Sequence, residues 1–385
     1  MEVVIMIKSD KIDYIYVLKG LAMLLVIIVH SPQCISGIDP ILIQLTRVGR
    51  WGCQLFLVLS GFLLALSWNK KEVNLKRYYW SRFISIAPAY YIAIIWYILL
   101  CALFGAFHNE DFFYLFNINP KTVIMNILLL HGLSSDSFNF VVPGGWYIGT
   151  QWILYLVFPL IIFLYNRIKI RYKISILIPN VTLIISFFIQ FLMLTITKNT
   201  ELSKLGSFFH YSFINQLPCF MLGFYLYYNY VLNKFCNISL QKVIFRFLTY
   251  GLVATLTFYG LRNIPLVFTI IPYIYSLCFV NLFIIICKLY DSWSENCFCK
   301  FLYKLGKVSY AAYFTNFIFG MFIPWFIFKM TNISVDGTIC YFIMVIPIIV
   351  GTYFSAKLFN IVIAYMGKKL KFRYQYRNID PKSLI

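Results

Sequence analysis

Long apolar runs, separated by short polar stretches, repeat along almost the entire 385-residue chain. Most of these runs approach about 20 residues, the length that a helix needs to cross the hydrocarbon core of a bilayer. The pattern therefore predicts about ten membrane-spanning helices. The predicted spans are 14–33, 48–67, 82–106, 146–166, 175–197, 209–231, 247–262, 266–287, 308–328 and 338–366.

One further apolar stretch, "KTVIMNILLLHGL" at 121–133, is too short for a crossing. Stretches of this length are typical of re-entrant or interfacial segments. The sequence thus predicts an all-α integral membrane fold, with about ten transmembrane helices plus a short re-entrant or interfacial helix. We expect residues 1–385 to form a single membrane-embedded domain with a core of about 12–367 and no attached soluble domain.

The composition supports a membrane protein. The chain is 61% hydrophobic and 12% charged, with a mean hydropathy of +0.80, whereas an ordinary soluble domain is about 25% charged. A net charge of +20 would suggest nucleic-acid binding in a soluble protein. Because the basic residues lie mostly in short loops between apolar runs, we interpret them as a topology signal and expect no nucleic-acid partner.

The basic residues predict the orientation. With both termini in the cytoplasm, most of the 33 basic residues fall in inside segments, including "KKEVNLKRYYWSR" at 70–82 and "RIKIRYK" at 167–173. Counting 121–133 as a crossing would move the second stretch outside and weaken this bias. We therefore expect a multi-pass protein of the cytoplasmic membrane. The clustered cysteines Cys297 and Cys299 have no histidine nearby, so no metal site is expected.

Two ionisable residues stand out in the first predicted span, "YVLKGLAMLLVIIVHSPQ". Lys19 and His30 are about three turns apart and share one helix face, with an angular offset of about 20°. Ionisable groups inside a membrane are functional candidates. His30 either acts as a base near neutral pH or is a buried histidine bonded to a neighbouring helix. Lys19 either faces an internal pore or reaches the interface.

Other polar residues interrupt later apolar runs. Ser60 is a catalytic candidate or a small residue for helix packing. Arg82 binds an anion through its planar guanidinium or anchors its helix at the interface. Gln151 follows the aromatic pair Trp146 and Tyr147 into the fourth span, and Asn316 lies inside the ninth predicted span.

Several segments together resemble the ordered motifs of the integral-membrane acyltransferase family 3. They are "LKGLAMLLVIIVH", "LFLVLSGFLL", "SRFISIAPAYY", "WYIGTQWILYLVFPL", "LPCFMLGFYLY" and "LGKVSYAAYFTN". The resemblance extends over nearly the whole chain in the expected order. It implies a ten-helix membrane domain that takes an acyl group, usually acetyl from acetyl-CoA, at the cytoplasmic face. It also implies transfer to a hydroxyl of a surface, capsular or exopolysaccharide glycan, or of a lipid-linked saccharide.

The resemblance also implies roles for residues. His30 would remove the acceptor proton or transiently carry the acyl group, and Lys19, Arg82 and Arg77 would bind the donor phosphates. Acetyl-CoA is a co-substrate, and no bound cofactor is expected. On the acceptor side or lining the pore, the expected residues are Trp146, Tyr147, Gln151, Asn316 and Ser60.

The chain departs from the family pattern at several positions. Ser85 stands where the family has a second Arg, Gln151 where it has Glu, Asn316 where it has a late His, and Gln54 where Asp is frequent. Two alternative functions therefore stay open. One is a non-enzymatic glycan flippase or polymerase-like protein, and the other is an inactive family member in a glycan assembly complex.

Overall fold

The computed structural model describes most of the chain between residues 13 and 369. The described ranges are 13–33, 35–68, 74–103, 118–168, 177–196, 208–231, 235, 237–261, 264–324, 326–327 and 337–369. Every regular element in these ranges is helical, in agreement with the predicted all-α fold. The predicted cytoplasmic termini lie outside the described residues.

The described helices follow one another along the chain. In chain order they are α1 (Asp13–His30), α2 (Pro40–Arg47), α3 (Gly52–Trp68), α4 (Leu75–Leu103), α5 (Pro120–Ile127), α6 (Trp146–Ile168), α7 (Leu177–Ile196), α8 (Phe213–Val231), α9 (Leu240–Leu261), α10 (Pro265–Trp293), α11 (Cys297–Lys307), α12 (Ser309–Phe317) and α13 (Thr338–Lys369). Two 3₁₀ turns lie at Val48–Trp51 and His131–Leu133, and a π-helical turn lies at Ile318–Phe322.

Seven helical stretches among the described residues are long and apolar enough to cross a membrane. They are Asp13–His30, Pro40–Trp68, Leu75–Ala102, Trp146–Leu164, Leu240–Leu261, Thr269–Trp293 and Thr338–Tyr365. Each coincides with one of the predicted spans. The multi-pass architecture is therefore supported, whereas the predicted count of about ten crossings is not confirmed.

The other three predicted spans, 175–197, 209–231 and 308–328, are not among these seven stretches. Helix α7 has 20 residues and includes the apolar stretch Leu177–Met193. Helix α8 carries the buried amides Asn215 and Gln216, which lower its hydropathy. Helix α12 ends at Phe317 and continues as the π-helical turn, and part of the predicted span beyond it lies outside the described residues.

The segment predicted to be re-entrant or interfacial forms a short helix followed by tight turns. Asn119 and Thr122 form a capping box at the start of α5, each side chain accepting a hydrogen bond from the backbone N–H of the other. With eight residues, α5 is too short to cross a bilayer. Leu129 then adopts a φ of 58°, an uncommon conformation for a side chain of that size. The re-entrant or interfacial location stays a prediction.

The chain forms two compact units. The terminal unit contains residues 1–56 and 283–385, and the central unit contains residues 57–282. In the terminal unit, α11 packs along α1 in antiparallel orientation. A Cβ atom at Gly20 would collide with the carbonyl oxygen of Leu302, and one at Gly306 would collide with that of Tyr16. Glycine at both positions therefore allows the two backbones to touch.

The central unit contains a similar contact between α3 and α8. A Cβ atom at Gly61 would collide with the carbonyl oxygen of Phe220, and one at Gly223 would collide with that of Val58. Small residues that allow such approach are typical of membrane helix interfaces.

Large apolar side chains cover the outer faces of several helices. Phe245 on α9 is 71% exposed, and Ile339 on α13 is 77% exposed. Large exposed apolar side chains are unfavourable in water and are expected where a protein faces lipid. The structure therefore fits a membrane protein.

We predict that Gly61→Ala destabilises the protein by about 1–3 kcal/mol, because the added methyl group meets a backbone atom that cannot move without separating α3 from α8. Gly260→Ala is the matched control, since a Cβ at Gly260 meets nothing within 4 Å. Thermal unfolding of both variants in detergent tests this contact. Equal melting temperatures for the two variants would show that the close approach is not needed.

Candidate active site

His30 is the last residue of α1, in the terminal unit. The chain turns directly after it, and the backbone N–H of Gln33 donates to the carbonyl oxygen of His30. This turn brings the Gln33 side chain back to the imidazole, where Nδ1 lies 3.2 Å from Oε1 of Gln33. An amide oxygen only accepts hydrogen bonds, so in this orientation Nδ1 is the donor and Nε2 carries the lone pair. Gln33 was not predicted from the sequence.

A second element packs on the His30 ring. The Phe317 ring lies 4.2 Å from it, centroid to centroid. Phe317 ends α12, and the π-helical turn Ile318–Phe322 follows, with Gly320 close to the His30 carbonyl. Such turns are rare and frequently occur at functional sites. Arg50 also interacts electrostatically with His30. Neither Phe317 nor Arg50 was predicted, because no spacing pattern links them to His30.

Asn316 lies next to the Phe317 contact and is 1% exposed. Its Nδ2 donates to the carbonyl oxygens of Ala312 and Tyr313. Its Oδ1 is buried without a hydrogen-bond partner among the described residues. A buried acceptor left unpaired is uncommon and requires an explanation, such as a ligand or water.

Lys19 lies on α1, about 16 Å from His30 at the helical rise. Its ammonium nitrogen is 5.6 Å from the centroid of the Tyr16 ring, within the range of a cation–π interaction. The side chain is half-buried. The terminal unit therefore contains the candidates His30, Asn316 and Lys19.

The central unit contains a separate polar cluster. Gln151 on α6 donates through Nε2 to the Ser60 hydroxyl at 3.2 Å and to the Tyr155 hydroxyl at 2.6 Å. The guanidinium of Arg82 lies 5.8 Å from the Tyr155 ring centroid and 5.9 Å from that of Tyr78. Tyr155 thus links Gln151 to Arg82, and Gln151 in turn contacts Ser60. Tyr155 lies one helical turn after Gln151, a spacing that could have indicated it.

The carbonyl oxygen of Gln151 is buried without a hydrogen-bond partner among the described residues. In Gln151, as in Asn316, the amide nitrogen donates hydrogen bonds while the amide oxygen has no partner among the described residues. Ser85 donates to the carbonyl oxygen of Arg82 at 2.7 Å, so its hydroxyl is engaged with its own helix. Arg77 is exposed near the start of α4, where Asn74 caps its backbone N–H.

Trp146 and Tyr147 open α6 and are largely buried. The Trp146 ring lies 4.4 Å from the ring of Tyr211, and Tyr211 stacks on Phe138 at 6.1 Å. Aromatic rings therefore surround the start of this helix. The sequence predicted two members of this group; of the other two, Phe138 lies shortly before α6 and Tyr211 comes from a segment distant in the chain.

His131, a buried histidine that was not predicted from the sequence, contacts the backbone just before α6. His131 Nε2 lies 2.9 Å from the carbonyl oxygen of Gly145, to which it donates, and its ring stacks on Tyr90. Tyr90 in turn donates to the side chain of Asn126. Burial lowers the pKa of His131 to about 4. A neutral, hydrogen-bonded histidine of this kind supports a structural role.

A model described as an acyltransferase domain, that of acyltransferase family 3, matches residues 12–354. The match includes His30, the turn after it, and the polar cluster around Gln151. Comparison with curated proteins and comparison with solved structures gave no match.

We predict that acidification destabilises the protein through His131. The unfolded state binds this proton near pH 6.5, whereas the folded state binds it only near pH 4, so stability falls as the pH drops below about 6.5. The expected loss between pH 7.5 and 5 is about 2 kcal/mol. Thermal unfolding across this range should show a smaller loss for His131→Gln, which cannot be protonated. An equal loss in both proteins would contradict the assignment.

Proposed function

The chain belongs to the acyltransferase family 3 of membrane proteins, and from this premise we propose that it is an O-acetyltransferase. In this proposal it transfers an acetyl group from acetyl-CoA to a hydroxyl of a surface, capsular or exopolysaccharide glycan. The observation that carries the proposal is the imidazole of His30, oriented by Gln33 so that Nε2 is free to accept a proton. A general base needs such a nitrogen within reach of the hydroxyl it activates.

The proposed reaction joins the acceptor oxygen to the acyl carbon. The hydroxyl loses its proton to His30 as its oxygen attacks the thioester carbonyl. The new C–O bond forms, the C–S bond breaks, and the proton passes to the departing sulfur, so that CoA leaves as a thiol. In the alternative course, His30 Nε2 attacks first and carries the acyl group before the hydroxyl takes it. Arg50 supplies positive charge for the oxyanion that develops in either course.

The donor is acetyl-CoA as a co-substrate, with no resident cofactor. Arg82, Arg77 and Lys19 supply cationic groups for its phosphates, since guanidinium and ammonium groups form charge-assisted hydrogen bonds with phosphate oxygens. The tyrosine faces beside Arg82 hold the guanidinium in place. We place this binding at the cytoplasmic face of the cytoplasmic membrane, in accord with the predicted orientation.

The acceptor is a glycan or a lipid-linked saccharide. Trp146 and Tyr147 provide aromatic faces that suit the apolar faces of sugar rings. The unpaired carbonyl oxygen of Gln151 supports a role in accepting a hydrogen bond from a substrate hydroxyl. The unpaired oxygen of Asn316 supports the same role near His30.

The direct test is release of CoA thiol by the purified protein in detergent, with acetyl-CoA and a glycan acceptor. We predict that His30→Gln, which keeps a polar side chain but has no basic nitrogen, lowers the transfer rate about 10²–10⁴-fold. An unchanged melting temperature controls for folding. Transfer at the wild-type rate would exclude His30 from the reaction. Glycan movement across the membrane without thiol release would favour the flippase alternative.

We also predict that Gln33→Ala lowers kcat about tenfold with little change in KM, because the imidazole then loses the partner that fixes its tautomer. Gln33→Glu, which can still accept from Nδ1, should retain more activity than Gln33→Ala. Steady-state kinetics with acetyl-CoA as the varied substrate separates the two parameters. A selective rise in KM would instead assign Gln33 to substrate binding.

A further inference from the structure

The contact between α1 and α11 brings basic residues of both helices together. Helix α11 is amphipathic: Cys299, Leu302 and Leu305 are buried, whereas Lys304 and Lys307 are exposed. Such a helix is typical of a membrane surface. Since Gly20 and Gly306 allow the two backbones to touch, the residues beside these glycines are held close to each other.

Lys19 and Lys307 are the residues beside the two glycines, and both approach the same aromatic ring. Their ammonium nitrogens lie 5.6 Å and 5.9 Å from the centroid of Tyr16. Lys307 is also 4.4 Å from the centroid of Tyr303. The two tyrosine rings meet edge to face at 5.6 Å. Two cations and two half-buried aromatic rings thus form one cluster, which we call the lysine–tyrosine cluster.

Lys19 and Lys307 bring two positive charges to the Tyr16 ring. A cation–π contact contributes about 0.5–1 kcal/mol at an exposed site. Asp13 also reaches the cluster, where its carboxylate accepts a hydrogen bond from the Tyr303 hydroxyl at 3.4 Å. Lys300 on the same helix is paired with Glu295 at 2.6 Å and lies apart from this arrangement.

A general preference for cations at the C-terminal end of a helix does not explain the cluster. Lys304 and Lys307 both lie in the last turn of α11, where the helix dipole favours positive charge. Lys307 also contacts the rings of Tyr16 and Tyr303, and the helix dipole does not explain these contacts. A phosphate near the Tyr16 ring would be attracted by both Lys19 and Lys307.

We propose that the lysine–tyrosine cluster binds the phosphorylated nucleotide portion of the acyl donor. Lys19 and Lys307 form charge-assisted hydrogen bonds to phosphate oxygens, and the Tyr16 and Tyr303 rings contact the adenine base, as aromatic side chains do with bases. This inference rests on the proposed function, because it takes the donor to be acyl-CoA. It adds Lys307 and the two tyrosines to Lys19 as donor-binding residues of the terminal unit.

The phosphate of an anionic lipid has the same chemistry and would meet the same lysines at a membrane surface. The test must therefore separate the two sources. The probe is 3′,5′-ADP, which carries the adenine base, the 3′-phosphate and the first 5′-phosphate of CoA without the second 5′-phosphate and the thiol arm. Its binding is measured by calorimetry on the full-length protein in nanodiscs of neutral phosphatidylcholine, and again with phosphatidylglycerol added.

We predict that Lys307→Gln weakens 3′,5′-ADP binding about tenfold, the effect of losing one charge-assisted contact. Lys307→Arg should retain binding. Lys304→Gln, which removes an exposed lysine from the same turn, should change the affinity less than twofold. Melting temperatures of all variants confirm that each is folded.

Equal affinities for wild type and Lys307→Gln would overturn the inference. Loss of 3′,5′-ADP binding when phosphatidylglycerol is added would also overturn it, since lipid would then be the ligand. Lys307-dependent binding without thiol release would support the nucleotide site while the proposed acyl transfer fails. If the protein releases CoA thiol but Lys307→Gln binds 3′,5′-ADP like the wild type, the proposed function would hold and the lysine–tyrosine cluster would not be the nucleotide site.

Discussion

Direct contact between helix backbones at glycine residues is the interaction on which both units depend. Lipid chains are as apolar as leucine, so burial of apolar surface gives little drive for helices to associate in a membrane. Van der Waals contact between close backbones replaces that drive. In the terminal unit it joins α1 to α11, and in the central unit it joins α3 to α8.

The same contacts position polar side chains. Lys19 precedes Gly20, Lys307 follows Gly306, and Ser60 precedes Gly61. A residue next to a point of backbone contact has little freedom to move, because its helix can neither rotate nor slide without a collision. The chain thus uses one packing device to hold helices together and to fix charged or hydroxyl groups inside an otherwise apolar environment.

The sequence predicted the long apolar helices well, because length and hydropathy alone determine whether a helix can cross a bilayer. Helix α8 lies within the predicted span 209–231, but the buried amides Asn215 and Gln216, which donate to the carbonyl oxygen of His210, reduce its hydropathy. The π-helical turn after Phe317 could not be predicted, because it arises from packing.

In the candidate site, too, residues that stand out by type were predicted, whereas residues that matter through their contacts were not. His30 and Lys19 were identified because ionisable groups are conspicuous in an apolar helix. Gln33, Tyr155 and Lys307 were not, because their importance comes from the side chain that each one contacts.

Replacement of ionisable residues by amides is the feature that separates this chain from the pattern it resembles. Gln151 and Asn316 stay neutral at every physiological pH, so neither can exchange a proton with a substrate. Both keep a buried carbonyl oxygen without a partner among the described residues. The proposed chemistry therefore concentrates proton transfer on His30 and leaves hydrogen-bond acceptance to the amides.

The central claim is acyl transfer to a glycan through His30, and glycan mass tests it most directly. Surface and lipid-linked glycans would be compared by mass spectrometry in cells that lack the protein, produce the wild type, or produce His30→Gln at an equal level. The account predicts an increase of one acetyl group per modified sugar with the wild type alone. Identical glycan masses in all three cells would contradict it.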